Sequence, residues 1–238
     1  MSPVKTHPRT ARLLLITGTD TDVGKTFVAC AIAKELRARG RNVGVCKPFA
    51  AGVAPGSGAD AELLRDAAGV HDAMRDICPV QFAAPLAPNW AARIEAKKVD
   101  LAAAEAAIRK FADAYTDIII EGIGGILCPI TDDITFLDFI APYRPHTIIV
   151  ALPDLGTLNH TLLTVAALRA RQTPILGVLL NAARPVRHKM AADTNAANLR
   201  AVLKHVPIFG PIPHRPIGKQ ADAVIAAAVT AYLGKTPR

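Results

Sequence analysis

Aromatic residues make up only 5% of the sequence, with a single tryptophan, so there is little here to stack bases along a nucleic-acid groove. The formal net charge of +8 does not reverse that reading, because the Lys and Arg residues are scattered along helical patterns and at both ends. Solvated faces and an affinity for anionic metabolites explain the charge better than a nucleic-acid partner. The four cysteines, Cys30, Cys46, Cys78 and Cys128, show no C-x-x-C pair and no His at zinc-finger spacing, which excludes a zinc finger. They read as buried free thiols, with a reactive thiol conceivable at Cys128 because it borders a candidate active-site loop. No apolar stretch approaches the roughly 20 residues of a membrane span. The basic N-terminal segment MSPVKTHPRTAR leads into an apolar run shorter than a signal-peptide core, so a cytoplasmic protein is expected. Also lacking are internal repeats and any Gly/Ser linker, and 238 residues at 51% hydrophobic suit one α/β domain over 1–238.

What is there begins with GTDTDVGKT, Gly18 to Thr26, between the apolar run Leu13 to Ile16 and the helical pattern FVACAIAKELRARG. This is a strand, a phosphate loop and a helix. In such a loop backbone N–H groups wrap a polyphosphate and the helix N-terminus adds its positive dipole end. Lys25 then reaches the outer phosphates and the Thr26 hydroxyl ligates Mg²⁺. Five residues, not the usual four, separate Gly18 from Gly24, a variant that narrows the family.

The rest of the chain alternates strands with helices, which predicts an α/β fold of P-loop NTPase type: a mostly parallel, Rossmann-like sheet with helices on both faces. Residues 42–46 read as a strand and Lys47-Pro48-Phe49-Ala50-Ala51-Gly52 as a turn, placing Lys47 at a strand's C-terminal end, where open parallel sheets bind ligands. Asp60 opens a helical run and is either an N-cap or a Mg²⁺ ligand with a second carboxylate nearby. That carboxylate is Glu121, which ends the β-branched run 116–121 in a Walker B arrangement, with Gly122 and Gly124 allowing close backbone approach. Between them lie a proline-rich loop, with Trp90 as a packing residue beneath it, and a helix from Leu101 to Ala114. Further on, 146–151 is a strand, Gly156 to His160 open a helix whose N-terminus suits a carboxylate, and 175–180 is a strand ending in Asn181, an amide placed for a nucleobase edge. Asn159 and His160 read equally as ordinary first-turn residues. A proline-rich loop from Phe209 to Pro216 precedes an Ala-rich final helix.

Taken together, GTDTDVGKT, KPFAAG, Asp60, EGIGG followed by CPITDDITFLDF, GTLNHTLLT and VLLN resemble the dethiobiotin synthetase family in order and spacing, over nearly the whole chain. The resemblance implies an ATP- and Mg²⁺-dependent cyclo-ligase of biotin synthesis. It would join CO₂ to 7,8-diaminononanoate through a carbamate and a carbamic-phosphoric anhydride. It assigns catalysis to Lys25, Lys47 and Thr21, metal ligation to Thr26, Asp60 and Glu121, and nucleotide binding to Asp22, Val23, Gly24, Lys25, Thr26, Phe27, Asp60, Glu121, Gly122, Gly124 and Asn181. It further implies a homodimer in which Gly156, Asn159 and His160 of the neighbouring subunit hold the substrate carboxylate. Two features depart from or escape the family pattern: Ala51 stands where a Ser or Thr is usual, and the adenine loop around Pro211 to His214 does not match residue by residue. A partitioning ATPase of the same fold would carry a signature Lys where this chain has Asp20, and an amidotransferase-type synthetase would need room for a glutaminase domain.

Overall fold

The computed structural model describes residues 11–53, 59–215 and 219–235. Its centre is β1 (Arg12–Gly18), buried from Leu14 onward, as expected of a strand covered on both faces. β1 pairs in parallel with β5 (Asp117–Gly125) on one side and β6 (His146–Ala151) on the other. The full sheet runs β2 (Val43–Cys46), β5, β1, β6, β7 (Ile175–Asn181), β8 (Ile208–Ile212), with every pairing parallel. Helices α1 (Lys25–Ala38), α2 (Ala59–Ala68) and α9 (Gln220–Leu233) pack together on the sheet. Three others, α5 (Leu101–Ala114), α7 (Thr157–Ala170) and α8 (Lys189–Val202), pack against it as well. Right-handed crossovers leaving β1 and β6 in opposite directions put their helices on opposite faces, which is the expected architecture. All strand C-termini therefore open on one edge.

Several local expectations are corrected. Phe49–Ala51, read as a turn, is a short strand, β3, paired in parallel with β4 (Val80–Phe82). Burial of Phe49, Val80 and Phe82 outweighs the preceding Pro48. The stretch read as a proline-rich loop holds β4 and α4 (Pro88–Ile94), with Pro88 in the first turn, where its missing N–H costs nothing. Trp90 is 55% exposed and stacks under Arg93, with the guanidinium carbon 4.8 Å from the ring centroid, instead of packing beneath a loop. Residues 208–212 form edge strand β8, a place where Pro211 is tolerated, while Pro216 lies outside the described residues. α8 has no counterpart in the sequence reading, since its buried side is only Asn195, Ala196 and Leu199. The basic N-terminal segment, and most of the Gly-rich connection before Asp60, also fall outside the described residues.

Candidate active site

The C-terminal ends of β1, β2 and β5 surround a cleft of about 360 Å³. Its shape starts at the phosphate loop. Gly24 sits at φ +87° just before α1, and a Cβ there would come within 2.2 Å of the Asn181 amide nitrogen, so only glycine fits. Asn181 itself is buried and donates from Nδ2 to the Val23 carbonyl at 3.0 Å, which fastens the loop to the end of β7. Lys25 turns back over the loop and donates to the Asp20 carbonyl at 2.9 Å. Thr21 is held by Asp20, whose Oδ1 accepts from its backbone N–H at 2.7 Å and from its hydroxyl at 3.2 Å.

Across the cleft, Glu121 is 1% exposed, and its Oε1 accepts from the Thr26 hydroxyl and from Lys47, each at 2.8 Å. Lys47 also donates to Asp60 Oδ2 at 2.5 Å. Asp60 is the second residue of α2, and its carboxylate goes to Lys47; the capping alternative is set aside by that contact. Glu121 Oε2 has no hydrogen-bond partner among the described residues. An unpartnered buried carboxylate oxygen is costly, so its presence marks a place where a ligand completes the set. Gly122 and Gly124 line the same cleft, as do Thr21 and Asp22.

The charges are set by burial and by each other. Burial lowers the pKa of Lys25 below the usual lysine range, opposed mainly by Glu121. Burial works on Lys47 in the same direction, but the carboxylates of Glu121 and Asp60 outweigh it and hold Lys47 charged. Burial pushes Glu121 upward, against the pull of Lys47. Burial also raises the Cys128 thiol above its ordinary value, which speaks against the reactive-thiol alternative and for an ordinary free thiol. Cys30 is pushed up to about 11 and Cys78 to about 12, again by burial, so neither is a reactive thiolate.

The remaining residues named from sequence lie elsewhere. Phe27 is half-exposed on α1 and does not line this cleft. Val23 and His160 line a second cavity of about 160 Å³ on the other side of the phosphate loop. Gly156, at φ +92°, precedes the first turn of α7, and Asn159 is exposed. His214 places Nδ1 3.2 Å from the Ala182 carbonyl, beside Asn181.

Two residues escaped the sequence reading. Asp154, in the second cavity, accepts from the backbone N–H of Leu155 at 2.8 Å and of Arg187 and His188 at 3.2 Å each, and its Oδ1 lies 2.9 Å from His188 Nδ1. It thereby ties the entry of α7 to the segment before α8. Burial would raise its carboxyl, but these backbone donors and His188 hold it down at about 2. No sequence signal points to the Arg187 and His188 contacts, since those donors lie 33 and 34 positions away. The other is Gln81, whose signal was a polar residue between Val80 and Phe82, the alternation of a strand with two different faces.

Comparison with known proteins decides the family. The ATP-dependent dethiobiotin synthetase BioD of Anaeromyxobacter dehalogenans strain 2CP-C is 42% identical over 222 residues, covering 92% of this chain and 99% of that protein. The chain belongs to the dethiobiotin synthetase family. The enzyme of the same name from Bacillus velezensis is 37% identical over 205 residues, covering 85% of this chain and 86% of that protein. A family model described as an AAA domain matches residues 12–221. Among solved structures, the Pyrococcus furiosus cell division ATPase MinD aligns with a TM-score of 0.53 at 20% identity, over 94% of this chain and all of that one. The Thermotoga maritima cell division protein FtsY gives the same TM-score at 16% identity, over 98% of this chain and 72% of that one. Those two likenesses concern the fold, a P-loop NTPase-type α/β sheet flanked by helices. The dethiobiotin synthetase match spans both walls of the cleft.

Proposed function

We propose that this member of the dethiobiotin synthetase family is an ATP-dependent ligase of biotin biosynthesis, closing the ureido ring of dethiobiotin from 7,8-diaminononanoate and CO₂ with release of ADP and phosphate. The observation that carries the reading is the meeting of Lys25, Lys47, Asp60, Glu121 and Thr26 around one cleft at the end of β1. One amine of the diamine captures CO₂ as a carbamate, the carbamate oxygen takes the γ-phosphoryl group of ATP, and the second amine attacks the carbonyl carbon and expels phosphate. Each step is carried by reactant groups, so the chain's task is to neutralise charge and position atoms. Lys25 serves the outer phosphates. Lys47, kept charged by its two carboxylates, serves the carbamate and the transferred phosphoryl group. Thr21 positions substrate. Asp22, Gly24, Gly122 and Gly124 contact the nucleotide from the cleft, Val23 and Phe27 do so through backbone N–H groups and not their side chains, and Asn181 offers its carbonyl oxygen to the adenine while its nitrogen stays on Val23.

The residues present fit Mg²⁺: a hydroxyl and two carboxylates, one of them Glu121 with its orphaned Oε2, are hard oxygen donors. Thr26, Asp60 and Glu121 would hold the ion together with phosphate oxygens, and it would supply charge neutralisation on the β- and γ-phosphates. The active unit is a homodimer, with Gly156, Asn159 and His160 of the neighbouring subunit taking the substrate carboxylate, and the setting is cytoplasmic. Among the described residues no helix is long and apolar enough to cross a membrane.

The test is phosphate release by purified protein with Mg-ATP and bicarbonate, with and without 7,8-diaminononanoate, and mass detection of dethiobiotin. Diamine-dependent phosphate with product is the expected result. ATP turnover indifferent to the diamine would overturn it.

A further inference from the structure

The cleft has two unlike walls. One is charged and polar: Lys25, Thr26, Lys47, Asp60 and Glu121. The other brings together Ala50 and Ala51 of β3, Val53 after it, Cys78 ahead of β4 and Ile123 of β5, and none of these offers a charged or amide side chain. Gln81, on β4, is the exception, and the one amide side chain among the described lining residues. Its register partner across the β3–β4 ladder is Ala50, another lining residue, so the pleat puts it on the cleft side while Val80 and Phe82 are buried behind. Nε2 donates one of its two N–H groups to the Cys78 carbonyl at 2.9 Å, which anchors the amide; the second N–H and the Oε1 acceptor are what it can offer a ligand.

An acceptor on an otherwise apolar wall, opposite a cluster that binds anions, selects a ligand carrying N–H groups on its hydrocarbon side. We propose that Gln81 is a specificity-determining residue for the diamine: its Oε1 accepts a hydrogen bond from one of the two substrate nitrogens and so distinguishes a substrate carrying that nitrogen from an analogue lacking it. The proposal rests on the dethiobiotin synthetase reading, because it takes that reaction's substrate as the occupant of the wall.

The experiment uses the full chain and its Gln81→Met variant, which keeps length and apolar stem but removes the acceptor, with Gln81→Ala as the alternative should the first fail to fold. KM for 7,8-diaminononanoate, kcat, KM for ATP and the thermal midpoint are measured. Inhibition constants are then obtained for 7-aminononanoate and 8-aminononanoate as competitors. The expected result is a rise of about tenfold in KM for the diamine, the size of one hydrogen bond to a charged donor. KM for ATP stays within twofold, and only the mono-amine that retains the contacted nitrogen binds more weakly. An unchanged KM overturns the proposal, and so does an equal weakening of both mono-amines, which would make Gln81 a packing residue. Wild-type protein that forms no dethiobiotin and shows no calorimetric binding of diamine with Mg-ADP overturns the functional reading and this proposal together. Failure of the proposal alone is recognised by a wild type that is active.

Discussion

β5 carries two buried acids four positions apart, and they have opposite fates. Asp117, at the strand's start, is fully buried with both oxygens engaged: Oδ2 accepts from Arg41 at 2.7 and 2.6 Å and from the Thr116 hydroxyl at 3.0 Å, and Oδ1 from the Tyr232 hydroxyl at 3.1 Å. Glu121, at the strand's midpoint, shares one oxygen between Thr26 and Lys47 and leaves the second without a partner among the described residues. Burial of a carboxylate therefore does not by itself indicate a site. What separates the two is completeness of the hydrogen-bond set: a satisfied acid holds the fold, here tying the sheet to α9, and an incomplete one awaits a ligand.

The sharpest way to break this contrast is to remove the cations around Glu121. Lys25→Ala and Lys47→Ala are each expected to lower turnover by at least about 10³-fold, with a near-native circular dichroism spectrum; full activity in either would end the assigned roles. Glu121→Gln should follow, at about 10²-fold in kcat; it takes one of the two carboxylates from buried Lys47, so the urea midpoint should fall, but by less than in Asp117→Asn because Asp60 still holds Lys47. Asp117→Asn should behave in the reverse way. It leaves Arg41 and Tyr232 mismatched and is expected to cost about 3 kcal/mol of stability, with kcat per folded molecule unchanged in a titrated-site assay.

A smaller effect refines the comparison with a third carboxylate. Asp154 has a folded pKa of about 2, below the ~3.9 of an unfolded aspartate. A depressed pKa stabilises above the unfolded value, so its contribution is whole above about pH 4 and is lost as pH falls toward about 2. Urea midpoints from pH 5 to pH 2 should show a slope in that window that Asp154→Asn removes. The least effect belongs to Arg93→Ala, which removes an exposed stack on Trp90 and should change stability by under about 1 kcal/mol while shifting the tryptophan fluorescence.

The sheet was legible in the sequence because its strands are buried on both faces and read as unbroken apolar runs. The phosphate loop was legible because its glycines and Lys25 stand in a fixed spacing. Glu121 announced itself as an acid closing such a run. Other features depended on tertiary contacts. β3 and β4, three residues each, are too short for periodicity to register, and only their mutual pairing makes them strands. Asp60 read equally as a cap until Lys47 was seen beside it. Trp90 read as buried because size alone suggests burial, whereas its partner is a neighbour on the same short helix. Asp154 could not be read at all, since apart from its neighbour Leu155 its donors, Arg187 and His188, are far away in sequence and mostly backbone.

The grip of Asn181 on the Val23 carbonyl has a bearing on which lengths of chain this fold can tolerate. Asn181 fastens the phosphate loop, and a few residues later the backbone of Arg187 and His188 is fastened by Asp154. The stretch between, residues 182–186, is thus moored at both ends. A residue added or removed there cannot be absorbed as in an ordinary surface connection. It would pull on the phosphate loop at one end and on the start of α7 at the other, so descendants of this chain should vary in letters at these positions far more readily than in length.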